Sequence, residues 1–178
     1  MKSSNYKVLV ADDEEPIREL IVTLLSQKGY ECIAAGSGLE ALKKIRENKF
    51  DAVVTDIVMP EMDGLTLTRE LSQHYQSLPV MVMTGYGDEY SAETAIALGA
   101  REFIKKPFSI TEFLIRFHKM MDDHRGEEAL LALSLTDELT GLHNRRRFFV
   151  VAEQCLKVAI RMKKRPLLLF IDLDDLKW

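Results

Sequence analysis

Between Lys7 and Met121, five short strand-like runs alternate with five helix-like ones, and the first, third and fourth strand-like runs are apolar without an in–out alternation. A sheet face open to water would carry polar residues at every second position. Both faces of these strands are therefore covered. Strands covered on both sides and separated by helices imply an α/β fold, a doubly wound five-stranded parallel sheet with helices on each face.

The runs are Lys7–Ala11, Tyr30–Ala35, Ala52–Thr55, Pro79–Thr84 and Arg101–Lys105. Between the first two, Pro16–Lys28 carries Ile17, Leu20, Ile21, Leu24 and Leu25 at helical spacing, with Pro16 at its start and Gly29 just past its end. Leu39–Asn48 sets Leu39, Leu42 and Ile45 on one face; Gly64–Gln76 and Ser91–Leu98 follow, and a fifth helix starts near Ser109. Open parallel sheets bind ligands beyond the carboxyl ends of their strands, where the strand order reverses. Asp12 and Asp13 end the first strand, Asp56 the third and Thr84 the fourth, while Lys106 and Pro107 follow the fifth. Three acids, a hydroxyl and a lysine are thus expected on one edge. Taken singly, each has an ordinary explanation: a loop acid pair, a helix cap, a turn threonine, a solvated lysine. Taken together, those explanations require a coincidence at several strand ends.

Asp12-Asp13, Asp56 followed by Met59-Pro60 and Asp63-Gly64, Thr84-Gly85, and Lys106-Pro107-Phe108 resemble the receiver-domain motifs of two-component response regulators. The resemblance covers residues 5–122. It implies a flavodoxin-like strand order 2-1-3-4-5, a phosphoacceptor at Asp56, a sensor histidine kinase as phosphoryl donor, and Mg²⁺ as cofactor. Three clustered carboxylates repel one another, by roughly 4 kcal/mol for two unit charges 4 Å apart at an effective dielectric of 20. A hard divalent cation relieves that repulsion, and oxygen ligands in near-octahedral geometry favour Mg²⁺. The resemblance makes Asp13, Asp56 and the backbone carbonyl of Val58 direct ligands, with Asp12 acting through water or positioning the ion. It gives Lys106 and Thr84 the phosphoryl oxygens to neutralise and hydrogen-bond, and makes Thr84 and Phe103 the switch residues. Many family members carry Tyr where this chain has Phe103, which has no hydroxyl to exchange partners. Glu14 and Glu15 suit the start of the first helix through its dipole; Glu14 also sits at the mouth of the cleft, where it could influence partner choice.

Beyond Ser109 a long helical pattern carries Ile110, Phe113, Leu114, Phe117, Met120 and Met121 as an apolar stripe; a polar stretch around Gly126 follows, and apolar residues resume at Ala129. Two readings fit: a last receiver helix followed by a surface linker, or a stalk over 123–135 that pairs across a homodimer together with that helix. The heptad register breaks at His124 and Glu127, so no sustained coiled coil is expected. His118 and His124 read as surface helix residues rather than phosphorylation sites. Residues Thr136–Phe148 (TDELTGLHNRRRF) resemble the N-terminal signature of the GGDEF diguanylate cyclases through Asp137, Leu139, Thr140, Gly141, Leu142, Asn144, Arg145 and Arg146. Phe148–Met162 is helical in pattern, Lys163–Pro166 a turn, and Leu167–Leu173 a buried-type strand; Arg145–Arg147 reads as a helix-start cluster. The resemblance implies that Asp172 binds metal and Lys177 nucleotide phosphate. The Gly-Gly-Asp/Glu-Glu-Phe loop does not occur before Trp178, so 136–178 reads as an incomplete piece with too little core to fold unaided. No cyclase activity is expected from this chain, which reads as part of a longer protein.

The alternatives are a stand-alone receiver acting through protein contacts with a vestigial tail, a DNA-binding regulator, and a phosphatase-like enzyme with an aspartate nucleophile. No helix-turn-helix pattern follows the receiver, so no DNA partner is expected. A net charge of −4 also gives no global basic field for nucleic acid or anionic lipid. Cys32 and Cys155 stand in no metal or redox spacing, which fits a reducing cytoplasm. No signal-peptide core opens the chain, and its longest apolar run, Pro166–Ile171, is too short to span a bilayer.

Overall fold

The computed structural model describes residues 6–85, 92–134, 140, 142 and 144–169. Strands β1 (Lys7–Ala11), β2 (Glu31–Ala35), β3 (Ala52–Asp56), β4 (Val80–Thr84) and β5 (Glu102–Lys105) form one sheet in the order β2-β1-β3-β4-β5. All of its pairings are parallel. The helices are α1 (Glu15–Gln27), α2 (Gly38–Glu47), α3 (Gly64–His74), α4 (Ala92–Ala97), α5 (Ile110–Ser134) and α6 (Arg145–Arg161). Winding changes direction between β1 and β3, which opens a crevice at their carboxyl ends.

Successive strand residues point to opposite faces, so a strand apolar throughout feeds two cores. Leu9, Val53 and Val82 pack with Leu42 and Ile45 of α2 and with Leu67 and Leu71 of α3. Val8, Val10, Val54, Met81 and Met83 pack on the other face with Ile21 and Leu25 of α1 and with Phe113 and Phe117 of α5. Leu20 and Leu39 share the helical spacing of these residues, yet they are 46% and 51% exposed. Each lies about 100° round its helix from a buried neighbour, Ile21 or Gly38, and the sheet reaches only one stripe.

Local chemistry sets the helix ends. The side chains of Ser37 and Asp63 cap α2 and α3 by accepting from Glu40 N and Thr66 N. Gly29, at φ +89°, ends α1, with Tyr30 N donating to Leu25 O and Gly29 N to Ser26 O. Gly64 opens α3 directly against β3: a Cβ there would run into the backbone carbonyl of Asp56. Gly64→Ala is expected to cost about 3 kcal/mol, read as a lower urea midpoint at unchanged slope.

The chain divides into two compact units, Met1–Arg125 and Gly126–Trp178. The polar stretch after Met121 stays helical, and α5 runs through Gly126 without a break. In the second unit α6 starts at Arg145, with Asn144 accepting from Arg147 N as its cap, and ends in a turn with Lys163 at φ +52°. The strand expected over Leu167–Leu173 is not formed at Leu167–Leu169, which are exposed; the rest of it lies outside the described residues. A strand needs a neighbour for its N–H and C=O groups, and among the described residues none pairs with this one. Of the Thr136–Phe148 signature, residues 136–139, 141 and 143 lie outside the described residues, as do Asp172 and Lys177. Among the described residues no helix is long and apolar enough to cross a membrane.

Candidate functional site

At the crevice, β1 delivers Asp12 and Asp13 and β3 delivers Asp56, and carboxylate oxygens of all three lie within 4.8 Å of one another. Asp12 is fully buried and Asp56 nearly so, whereas Asp13 is exposed. Lys106, one residue past β5, reaches into the cluster. Its ammonium lies 2.7 Å from Asp56 Oδ1, 3.0 Å from Asp12 Oδ2 and 3.8 Å from Glu14 Oε1. The backbone fixes this reach, because Lys106 N donates to Thr84 O at 2.7 Å. Lys106-Pro107 is a cis peptide bond.

Each carboxylate is oriented by backbone. Asp12 Oδ1 accepts from Glu14 N at 2.8 Å, so with Lys106 on Oδ2 both its oxygens are engaged. Asp56 Oδ2 accepts from Val58 N at 3.1 Å, which folds the loop bearing the Val58 carbonyl back over the acid. Burial pushes the Asp56 carboxyl above the usual carboxylate range; the Lys106 hydrogen bond opposes this, and the charge of Asp12 adds to it. Burial alone would lower the Lys106 pKa, but Asp56 and Asp12 together outweigh it and hold the ammonium above its ordinary value.

Thr84 is buried at the end of β4, directly after Met83, the register partner of Asp56. Phe103 is half buried in β5 beneath the Arg116 guanidinium, 5.7 Å from the ring centroid, and Arg116 is held by Glu102 at 3.3 Å and Glu112 at 3.1 Å. An open groove of about 580 Å³ lined by Phe50, His74, Tyr75 and Leu78 lies at the opposite, amino-terminal edge of β3 and β4, away from the acids.

The sequence did not reveal Arg18. From α1 its Nη1 donates to Asp12 O at 2.6 Å and Asp13 O at 3.5 Å, bracing the acidic loop from behind. Its one signal is its position a single turn into the helix after the acid pair. Glu14 goes beyond a helix-start acid, since its carboxylate also faces Lys106.

A family model for the response regulator receiver domain matches residues 8–118, more than half of the chain. The chain belongs to the response regulator receiver family. The receiver is 35% identical over 138 residues to the alkaline phosphatase synthesis transcriptional regulatory protein PhoP of Bacillus subtilis, covering 77% of this chain and 57% of PhoP. It is 35% identical over 133 residues to the response regulator MprA of Mycolicibacterium vanbaalenii, covering 72% and 58% respectively. The chain thus spans just over half the length of these relatives. A response regulator receiver domain from Clostridium thermocellum superposes with a TM-score of 0.63 at 33% identity, over 71% of this chain and 98% of that one. The protein is accordingly a phosphoacceptor receiver of a two-component system. Receivers take their phosphoryl group from sensor histidine kinases and bind Mg²⁺ at an acidic pocket. The donors here fit that ion: they are oxygens only, carry excess negative charge, and are already bridged by one cation, the Lys106 ammonium.

Proposed function

We propose that Asp56 is the phosphoacceptor of this receiver and that Asp13, Asp56 and the Val58 carbonyl hold Mg²⁺, with Asp12 positioning it. The carrying observation is the convergence of Asp12, Asp13 and Asp56, with the Lys106 ammonium on Asp12 and Asp56. An Asp56 oxygen attacks the phosphorus of a kinase phosphohistidine. The P–N bond breaks, its electron pair leaves on the imidazole, which takes up a proton, and an acyl phosphate forms. Bound Mg²⁺ supplies neutralisation of the charge spread over the phosphoryl oxygens. Lys106, already 2.7 Å from Asp56, transfers its ion pair to one of those oxygens. The Thr84 hydroxyl donates to another, drawing the end of β4 inward, and Phe103 repacks beside it without a hydroxyl of its own.

The output we propose is control of a diguanylate cyclase domain through dimer geometry, with the last receiver helix and the stalk as the pairing surface. Support comes from the signature residues Asp137–Arg146 and from the cap that Asn144 provides to α6 within that signature. The loop Gly-Gly-Asp/Glu-Glu-Phe does not occur in the 178 residues, so these alone are expected not to convert GTP. A second reading, transcriptional output, is favoured by the name of the relative PhoP. A third is a stand-alone receiver. The codons after that of Trp178 discriminate: a GGDEF loop supports the first, a helix-turn-helix the second, a stop codon the third.

With acetyl phosphate and Mg²⁺, one acid-labile, hydroxylamine-sensitive phosphoryl group is expected on the peptide containing Asp56. Beryllofluoride with Mg²⁺ is expected to shift the chain to a dimer in gel filtration; an unchanged elution volume contradicts the dimer mechanism.

A further inference from the structure

Glu61 stands at φ +66°, in the left-handed region that a side-chain-bearing residue enters only at a cost, and yet it is not a glycine. It sits at the tip of the loop joining β3 to α3, which carries Val58. That loop is tied at its base, where Gly64 N donates to Ile57 O at 2.8 Å and Val58 N to Asp56 Oδ2 at 3.1 Å. Its tip is tied to a different element. Ser37 Oγ donates to Glu61 Oε2 at 3.0 Å, and Gly38 N donates to Met62 O at 3.2 Å. Between these ties Met62 N donates to Pro60 O at 2.7 Å, closing a tight turn around Glu61. Ser37 is 7% exposed and its oxygen does two jobs, since it also accepts from Glu40 N at 3.2 Å to cap α2. Gly38 leaves no room for change, because a Cβ there would strike Met62 O.

We propose that Ser37 and Glu61 are positioning residues of the metal site: their hydrogen bond holds the β3–α3 loop so that the Val58 carbonyl faces the acids. Neither residue touches the cluster. The strained backbone at Glu61 persists because the Ser37 bond on one side and the Gly38–Met62 bond on the other over-determine it. The start of α2, outside the acidic cleft, thereby sets how well the loop is prepared to accept Mg²⁺. This inference rests on the metal reading above.

The test is calorimetric titration of the full chain with Mg²⁺, with thermal denaturation in parallel. Glu61→Ala deletes the acceptor, whereas Glu61→Gln keeps an oxygen acceptor and discards the charge. Ser37→Asp keeps a good cap for α2 but sets a carboxylate against that of Glu61. Glu61→Ala and Ser37→Asp are expected to weaken Mg²⁺ binding about three- to tenfold, the span of one modest hydrogen bond, with melting temperatures near wild type. Glu61→Gln is expected to bind within about twofold of wild type, a smaller change than the net worth of such a bond. A long-range field from the Glu61 charge makes the opposite forecast: Glu61→Gln would weaken binding as much as Glu61→Ala, and Ser37→Asp would strengthen it. Either result overturns the proposal, as does wild-type affinity in both Glu61→Ala and Ser37→Asp. Should Ser37→Asp fail to fold, the pair at exposed Glu61 still decides. Failure of the underlying metal reading looks different: the wild-type chain would take up no Mg²⁺ that Asp56→Asn abolishes.

Discussion

Asp56→Asn is expected to reduce phosphorylation by acetyl phosphate or a cognate kinase to background while leaving the fold intact. The amide has no anionic oxygen with which to attack phosphorus, and no other acid in the cluster has the same surroundings. Asp12 is completely buried, Asp56 keeps 6% of its surface exposed, and Asp13 is exposed. The same substitution changes the pH dependence of stability in the absence of divalent ions. Burial raises the folded-state pKa of Asp56 above 3.8, so this group favours the folded state more as pH falls from the raised value towards 3.8. The Asn variant lacks that acid-side gain, so its stability relative to wild type is expected to fall as thermal melts are taken from pH 7 to pH 4. Undiminished labelling of Asp56→Asn would contradict the assignment.

Lys106→Ala is expected to give the largest loss of stability among single changes at the site, roughly 3 kcal/mol at neutral pH without divalent ions. It removes the ammonium that lies among Asp12, Asp56 and Glu14, and leaves two buried carboxylates facing each other. The deficit should respond to Mg²⁺, because an ion that binds only the folded chain stabilises it by mass action and takes over the neutralising role. Denaturant titrations with and without Mg²⁺ check this: recovery of most of the loss is expected. Phosphorylation of the variant is expected to proceed slowly and to give no change in association, since the cation that follows the phosphoryl group is gone. A Lys106→Ala chain as stable as wild type without Mg²⁺ would show that the ion pairs contribute nothing.

The site was legible in the sequence to the degree that topology alone builds it. A parallel sheet sends every strand's carboxyl end to one edge, so Asp12, Asp13, Asp56, Thr84 and Lys106 could be assigned there from strand boundaries and residue type. The ends of α1 were legible for a local reason, through Pro16 and Gly29. What depends on the approach of distant segments was not. Ser37 and Glu61 are 24 residues apart, and neither type suggests the other. Arg18 looks like any charged residue on a helix until its guanidinium is seen on the backbone of Asp12. Leu20 and Leu39 satisfied the helical period and still face water, because periodicity marks a stripe without stating how wide a neighbour covers it.

The most direct test of the central claim is a crystal structure of the chain with Mg²⁺ and beryllofluoride. The account predicts the beryllofluoride on a carboxylate oxygen of Asp56, the ion between Asp13, Asp56 and the Val58 carbonyl, and the Lys106 ammonium moved from Asp56 to a fluoride. Beryllofluoride on another residue, or Mg²⁺ bound away from these acids, would contradict it.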